Sequence, residues 1–473
     1  MRRYIKILIL CAIVPVFDGC VAFHPKPISP SEAALSFEDR TLENRDIKKY
    51  LEENLHHEIQ EWPPKSWSFQ ELTMVAFYYH PALDVARAQW GVAQAGIITA
   101  GGHPEPGVSF FPEYVSNAPA SLSPWILGFS FDLDIETAGK RGYRIDTAVR
   151  LSEAARLNIA NTAWQVRGRL RTSLLFLYRA ARAESIMENQ RSILEDIVQL
   201  FEERLATGEV SRPDVSQARI LLDQTYLLLC EVQKQRAEAR VELANALGLT
   251  INALGAANLS FDLFHDLPLL TNLPLKALRR QALTNRSDIL TALAKYAARQ
   301  SALQLEIAKQ FPDIHLGPGY SWEQGDNRWA LGLSFLLPIF NRNRGPITEA
   351  AVRRKEAEVR FNEVQATVIG DIDRAIAAYQ AAVQKLEAAD SLLLARKNRL
   401  LSFEAMFEAG ETDRLDLLSA QLEHSLSELS RLEAYVSAEE SLGLLEGAIE
   451  RPINSSESAP PALERDPRKR EEK

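Results

Sequence analysis

Cysteine is scarce in this sequence of 473 residues, which has only three: Cys11, Cys20 and Cys230. The first two fall in an N-terminal stretch that has the composition of an export signal and is expected to be processed. Cys230 then has no partner for an intrachain disulfide, so packing and assembly must hold the folded chain together. Because Cys230 lies in the apolar stretch YLLLCEV, it is predicted to be a buried helix residue.

Long apolar runs and excess positive charge are also lacking. After the first twenty residues no run of eighteen apolar residues occurs, so no candidate transmembrane helix is present. The formal net charge is -9, and no basic face is available to bind phosphates, which argues against nucleic-acid binding. The sequence also has no glycine-rich phosphate loop and no nucleophile motif, so neither a cofactor nor catalysis is expected.

The N-terminus has the pattern of an export signal. A positive start followed by the apolar stretch ILILCAIVPVF predicts that residues 1–19 are a signal peptide. The residues 17–20 at its end, FDGC, resemble the bacterial lipoprotein signal. That resemblance implies cleavage before Cys20, a lipid anchor on that residue and, with Val21 following, an outer-membrane location. Phe17 and Asp18 depart from that signal. The alternative is simple cleavage nearby, with Cys20 an ordinary thiol.

The rest of the chain contains an internal duplication. Trp125 lies 204 residues before Trp329, and Gly208 lies 202 residues before Gly410. Around the two glycines, FEERLATGEVSRPDVSQA aligns with FEAMFEAGETDRLDLLSA. A period near 200 residues is too long for a solenoid repeat and indicates that a whole structural unit is duplicated. The predicted parts are an N-terminal segment at 20–67, two repeats at 68–265 and 271–450, and a disordered polar tail at 451–473.

Each repeat predicts the same order of elements. An Ala-rich helix, at about 69–101 or 273–310, precedes two short strands. A helix of roughly 60 residues then runs to the glycine turn, and a return helix of about 35 residues closes the unit. At 1.5 Å per residue the long helix would reach about 90 Å, far beyond one compact domain. Such helices must bury their apolar stripes against one another or against other subunits.

The predicted strands are GVSFFPEY, WILGFSFDLDI, DIHLGPGYSW and WALGLSFLLPI, and they alternate between two faces. A soluble sheet packed on a core fits this alternation, and so does a membrane barrel with lipid outside and water inside. Four strands cannot close a barrel, so a membrane location would require several chains to share one. The large apolar face carries Trp125, Leu127, Phe129, Trp329, Leu331 and Leu333.

The duplicated order, the HPAL start and the two glycine turns resemble the TolC-like outer-membrane efflux proteins. The segments ETAGKRGYRI and LPIFNRNRGPI, which contain Lys140, Arg141 and the stretch 340–345, are similar to those of the cobalt–zinc–cadmium resistance branch. The resemblance implies a mainly α fold with a membrane β-barrel portion. It implies a homotrimer whose twelve strands form one barrel in outer-membrane lipid, above a periplasmic α-helical tunnel.

The same resemblance implies a passive conduit in a tripartite efflux system, with no cofactor and no enzymatic activity. Its partners would be a periplasmic adaptor and an inner-membrane pump of the resistance-nodulation-division type. Divalent heavy-metal cations are the cargo that this branch suggests. Two alternatives stay open: a lipid-anchored periplasmic coiled-coil scaffold, and the same duct carrying drugs or other small molecules.

The two glycine turns are the candidate functional sites. By resemblance they form the tip that contacts the adaptor, and their acidic residues would form carboxylate rings that gate the channel. The alternative is structural: glycine ends a helix, Ser211 with Asp214 and Asp413 with Asp416 cap the next one, and acids complement the helix dipole. The tip residues are Arg204, Leu205, Gly208, Phe407 and Gly410, and the gate residues are Glu411, Asp413 and Asp416.

No metal site is predicted. The only dense group of ligand types along the sequence is His56, His57 and Glu58, which lies outside the repeats and has no thiolate partner. The remaining histidines are scattered without the spacing of a ligand set. The group is interpreted as the polar surface of a helix.

Overall fold

The computed structural model describes residues 23–119, 121–265, 267–268 and 274–453, together with residues 463, 466 and 468. The predicted signal peptide and Cys20 lie outside the described residues, as does most of the predicted tail. Among the described residues, no helix combines the length and the apolar character needed to cross a membrane.

Eleven helices of the described part are labelled here together with four strands. In chain order they are α1 (Pro30–Glu38), α2 (Arg45–Leu55), α3 (Phe69–Tyr79), α4 (Pro81–Ala100), β1 (Gly107–Tyr114), β2 (Trp125–Ile135), α5 (Lys140–Thr207), α6 (Arg212–Leu247), α7 (Ile251–Leu254), α8 (Leu275–Asn285), α9 (Ser287–Ala308), β3 (Ile314–Glu323), β4 (Asp326–Phe335), α10 (Arg344–Glu408) and α11 (Arg414–Ile449). A short 3₁₀ turn spans Asp262–Phe264.

Two long helical hairpins dominate the molecule. In the first, α5 has 68 residues and α6 has 36; in the second, α10 has 65 and α11 has 36. At 1.5 Å per residue α5 is about 100 Å long. The turns contain Gly208 and Gly410 with φ of 81° and 74°, a left-handed conformation that costs glycine little and other residues more. The predicted pair of long helices, glycine turns and return helices is therefore present.

The Ala-rich helix predicted at the start of each repeat is in fact two helices. His80 is extended, with ψ of 121°, because Pro81 disfavours a helical residue before it and itself fits the first turn of α4. In the second repeat Arg286 is extended, with ψ of 139°. Its guanidinium donates to the carbonyl of Gly447 at 3.2 Å and binds Asp288, so contacts with α11, and not a proline, accompany this break.

The four strands form one antiparallel sheet in the order β1-β2-β3-β4. The two repeats meet where β2 pairs with β3, for example Phe129 with Tyr320. The β2–β3 ladder is interrupted near Pro318, which has no N–H to donate. The last strand was predicted to begin three residues later than it does: β4 begins at Asp326 and ends at Phe335.

The N-terminal segment packs on the helical body. Ile47 and Leu51 of α2 are fully buried in a cluster that also contains residues of α3, α5 and α6. Two backbone hydrogen bonds of 2.9 Å join Trp67 to the loop after α7. The backbone N–H of Trp67 donates to the carbonyl of Asn258, and the backbone N–H of Ser260 donates to the carbonyl of Trp67. Residues from both ends of the first repeat therefore share one core.

A buried ion network joins α5 to α11. Arg171 donates to the carboxylate and to the carbonyl of Glu439, both at 2.6 Å, and Arg167 donates to Glu446 at 3.0 Å. The side chain of Glu439 has no solvent exposure, and burial raises the pKa of its carboxyl group. Gly443 makes room for this network, because a Cβ there would lie 2.5 Å from Nη1 of Arg171. The network therefore links the first repeat to the last helix of the second.

Cys230 lies on a helix, as predicted, but the prediction that it is buried was wrong, because its side chain is exposed. Only one face of α6 is covered by α5, and its buried residues include Thr225, Leu229 and Val232. Cys230 directly follows Leu229 and is therefore turned by about 100° away from that face.

Candidate functional site

The sheet presents one large apolar face. In antiparallel pairs, directly opposite side chains share a face, and the pairings align Leu133 with Leu316 and Leu333 in one row. A second row aligns Phe129 with Tyr320 and Trp329. All six residues predicted to face lipid are exposed in the single chain: Trp125 48%, Leu127 39%, Phe129 36%, Trp329 82%, Leu331 75% and Leu333 62%.

Two aromatic pairs lie on this face, one at its end and one in the row of Phe129. The ring centroids of Tyr114 and Trp125 are 5.0 Å apart, and those of Tyr320 and Trp329 are 4.9 Å apart. An apolar patch of this extent, bordered by aromatic rings, is typical of a surface that contacts lipid or another protein.

The opposite face of the sheet is mostly small and polar. It carries glycines at 128, 317, 319 and 332 together with serines and charged residues, and its large apolar side chains are Ile126 and Phe111, whose ring covers Gly128. Near the helical end of the sheet, Asp132, Asp134 and His315 bring three ligand atoms within 4.8 Å of one another. His315 Nδ1 contacts a carboxylate oxygen of Asp134, and the two side chains are 35% and 43% exposed.

The alternation of the strand sequences puts Asp132, Asp134 and His315 on the polar face, but they were not recognised as a group from the sequence. The two aspartates are two residues apart on one strand, and that spacing is a visible signal. The histidine belongs to the other repeat and comes close only because the β2–β3 register sets Asp134 opposite His315.

The basic pair after the first strands, a buried Lys140 and a half-buried Arg141, is bonded to the protein. Lys140 is buried, and its Nζ donates to the carboxylate of Asp313 and to the carbonyl of Phe311, both at 2.7 Å. Arg141 donates to the carbonyl of Gly101 at 2.7 Å. In the second repeat Asn343 has a φ of 52° and donates to the Glu306 carbonyl at 2.7 Å. The contacts of Arg141 and Asn343 fix each long helix to the end of the preceding one, and those of Lys140 fix α5 to the segment between α9 and β3 in the other repeat.

The two glycine turns contact each other. Arg204, in the last turn of α5, forms an ion pair with Asp413, the N-cap residue of α11. This pairing lowers the pKa of the Asp413 carboxyl and raises that of the Arg204 guanidinium, with the hydrogen bond between them the largest cause in each case. The structure therefore connects a predicted adaptor-contact residue with a predicted gate residue.

The predicted caps differ between the turns. Asp214 accepts hydrogen bonds from the Ser211 N–H at 2.9 Å and hydroxyl at 2.6 Å, and these bonds lower the pKa of its carboxyl. The equivalent box at Asp413 and Asp416 is not formed within the described residues. Asp413 turns to Arg204, and Asp416 accepts a bond from the Thr412 hydroxyl at 3.0 Å.

The remaining predicted tip residues surround this ion pair. Glu411, Asp416 and Phe407 are exposed, and Leu205 is half-buried. Behind the tip, Leu194 and Ile197 of α5 pack with Ala218 of α6 and Leu418 of α11 in a small apolar cluster. The two hairpins are thus joined near their tips by apolar packing as well as by the ion pair.

Solved structures have this architecture. The crystal structure of the outer membrane protein VceC of Vibrio cholerae is similar, with a TM-score of 0.66 and 20% identity over 82% of this chain and 97% of that one. The long helical hairpins, the four-stranded sheet and its exposed apolar face are thus the fold of an outer-membrane channel subunit. A sequence model of the outer membrane efflux proteins matches residues 80–249 and 278–446. The chain belongs to this family.

Two curated relatives are similar over most of their length. The cobalt-zinc-cadmium resistance protein CzcC of Cupriavidus metallidurans is 25% identical over 295 residues, covering 61% of this chain and 69% of CzcC. The pyoverdine export outer membrane protein OpmQ of Pseudomonas aeruginosa is 24% identical over 352 residues, covering 72% of this chain and 71% of OpmQ.

Family membership confirms several predictions made from the sequence. The chain is an efflux protein of the outer membrane and a conduit without enzymatic activity. The resemblance to the heavy-metal branch is also confirmed, because resistance proteins of that kind are among the relatives. The alternative of a periplasmic scaffold with a soluble sheet is not supported.

Proposed function

We propose that three copies of this chain form one channel, a twelve-stranded barrel continued by a helical tunnel into the periplasm. The observation that carries this proposal is the sheet. Its apolar face is exposed on β1, β2 and β4 and half-buried on β3 except at Pro318, and β1 and β4 are left as edges that another copy could pair with. In lipid every backbone polar group needs a partner, so only a closed ring of such sheets is stable there.

The helical tips are the proposed contact for a periplasmic adaptor, through which a pump of the resistance-nodulation-division type would deliver cargo. Arg204, Leu205, Gly208, Phe407 and Gly410 are the residues proposed to make that contact. Their support is position: they form the end of the two hairpins that is farthest from the sheet. A lipid on Cys20 stays a prediction.

Divalent heavy-metal cations are the proposed cargo. The support is similarity to CzcC, whose name assigns it to cobalt, zinc and cadmium resistance. A second candidate cargo is a siderophore or another small organic molecule, because OpmQ, a pyoverdine exporter by its name, matches a larger share of this chain.

A deletion strain tests the conduit and its cargo together. Loss of the chain is expected to reduce growth in zinc, cobalt and cadmium, and the intact chain on a plasmid should restore it. Siderophore release and drug sensitivity are measured in the same strains as the alternative readouts. Unchanged metal tolerance with reduced siderophore release would overturn the metal cargo, and a monomer recovered from the periplasm would overturn the channel.

The ion pair between Arg204 and Asp413 is proposed to hold the periplasmic end closed, with Glu411 and Asp416 adding to the acidic ring. We expect Arg204→Ala to raise the ion conductance of the purified channel in planar bilayers by about three- to tenfold. Each exposed ion pair contributes little free energy to the closed state, but the pairs of three copies act together. Arg212→Ala, which removes an exposed arginine near the same turn, is the control and should leave conductance unchanged.

The lowered pKa of Asp413 also predicts how closure of the channel depends on pH. A carboxyl whose pKa is lowered by folding stabilises the closed form at pH above its ordinary value of about 3.9 and loses that effect only as pH falls through the lowered pKa. The native channel should therefore stay closed at neutral pH and open only in strong acid, whereas Asp413→Asn should conduct at neutral pH. Equal conductance of all variants would refute the gate.

A further inference from the structure

The proposed function gives no role to the three side chains with metal-ligand atoms on the polar face of the sheet. Asp132 and Asp134 stand two residues apart on β2 and so point to the same side, and the strand register places His315 of β3 directly opposite Asp134. All three lie on the face opposite Leu127 and Leu331. In a closed barrel this is the face that water would fill.

The surroundings leave this group accessible. The residue of β3 that continues the register opposite Asp132 is Gly317, and Gly317 pairs with Gly332 of β4, so neither strand supplies a side chain there. The partner of His315 on β4 is Ser334, whose hydroxyl is a further oxygen on the same face. A hydrated cation could therefore reach the three ligand atoms from the water side.

The nearby positive charge is already compensated. Lys140 lies close to this end of the sheet, but its Nζ is bonded to Asp313 at 2.7 Å. Arg144 is bonded to Glu136 in the same way, with 2.9 Å between Nη2 and Oε2. The local excess is therefore negative, from the two β2 carboxylates that face the histidine.

The ligand chemistry selects a class of cation. One imidazole and two carboxylates suit borderline divalent metals such as Zn²⁺ and Co²⁺, whereas soft monovalent ions prefer thiolate or thioether ligands, which this group lacks. Three protein ligands leave coordination positions for water, and such a site can release its ion. A conduction pathway requires that property.

We propose that Asp132, Asp134 and His315 form a divalent-cation site on the inner wall of the barrel, near its junction with the helical tunnel. Three copies of the chain would place three such sites in a ring around the pathway. The position on the inner wall rests on the proposed function, but the binding of a metal by the three side chains does not.

Metal binding is tested on the full chain purified in detergent, with Co²⁺ as a spectroscopic probe and Zn²⁺ titrated by calorimetry. We expect one Co²⁺ per chain, visible bands typical of nitrogen and oxygen ligands, and displacement by Zn²⁺. His315→Gln, Asp132→Asn and Asp134→Asn should each weaken binding at least about tenfold. His57→Gln is the matched control and should bind like the native chain. His56, His57 and Glu58 are all exposed, and they follow the end of α2 at Leu55, so the prediction that they form the surface of a helix was wrong.

Two results would overturn the site: no saturable binding by the native chain, or equal binding by His315→Gln. Either result would leave Asp134 and His315 with only their direct side-chain contact. A heat-sensitive oligomer band on a gel verifies that each variant is assembled.

The inner-wall position is tested by current. Zn²⁺ added to the native channel in a planar bilayer should reduce its cation current, and His315→Gln should abolish this block. Binding without block would overturn the position. Failure of this site and failure of the cargo proposal can be told apart. A strain lacking the chain can show normal metal tolerance while the purified protein binds Co²⁺, and it can lose tolerance while the purified protein binds none.

Discussion

Replacing Arg171 by alanine is expected to lower the free energy of unfolding by about 3–5 kcal/mol, because the carboxylate of Glu439 would stay buried without its partner. In the native chain Arg171 makes two bonds of 2.6 Å to Glu439, and both side chains are almost completely inaccessible to solvent. Guanidinium-induced unfolding of the purified protein, followed by circular dichroism, measures the change.

Arg179→Ala is the matched control for this substitution. Arg179 also lies on α5 and also pairs with a glutamate of α11, Glu433, at 2.9 Å, but the two side chains are 39% and 40% exposed. An exposed pair of this kind contributes about 0–1 kcal/mol. Similar losses in the two variants would contradict the importance assigned to burial.

The pH dependence gives a second check on the same pair. Burial raises the pKa of Glu439 in the folded protein, so folding favours its protonated form. Stability from this group is complete below the unfolded glutamate pKa of about 4.3 and is lost as pH rises through the raised value. Removal of Arg171 raises that pKa further. The deficit of Arg171→Ala should therefore shrink as pH is lowered toward about 4.3.

Introducing a charge on the apolar face of the sheet should prevent assembly in the membrane. Leu331 lies in the middle of β4 and is 75% exposed in the single chain. Arginine at mid-depth on a lipid-facing strand costs about 2–4 kcal/mol, and three copies would carry this cost. We expect Leu331→Arg to reduce the amount of assembled protein in the outer-membrane fraction more than about tenfold, measured by immunoblot of unheated samples.

Ala330→Arg provides the control one residue away. Ala330 pairs with Gly319 and belongs to the small face, so an arginine there would point into water in the proposed barrel. Its assembly should be close to that of the native chain. Normal assembly of Leu331→Arg would remove the support for lipid contact along the row that contains Leu331.

Much of this architecture was predictable because its signals are local. Apolar alternation with period two identified the strands, and glycine between two long helical patterns identified the turns at Gly208 and Gly410. The offset between the repeats then gave the order of elements. The break before Pro81 was also recoverable, since proline restricts its predecessor, but the break at Arg286 has no such signal in the sequence.

The pairings that make the candidate sites depended on the tertiary structure. Arg171 and Glu439 are 268 residues apart, Arg204 and Asp413 are 209 apart, and Asp134 and His315 are 181 apart. By itself the sequence determined which face of each strand is apolar and where each helix reverses, because these follow from side-chain periodicity and backbone conformation. Only the docking of one repeat against the other decided which charges meet, since strand register and helix packing depend on the whole interface and not on any one segment.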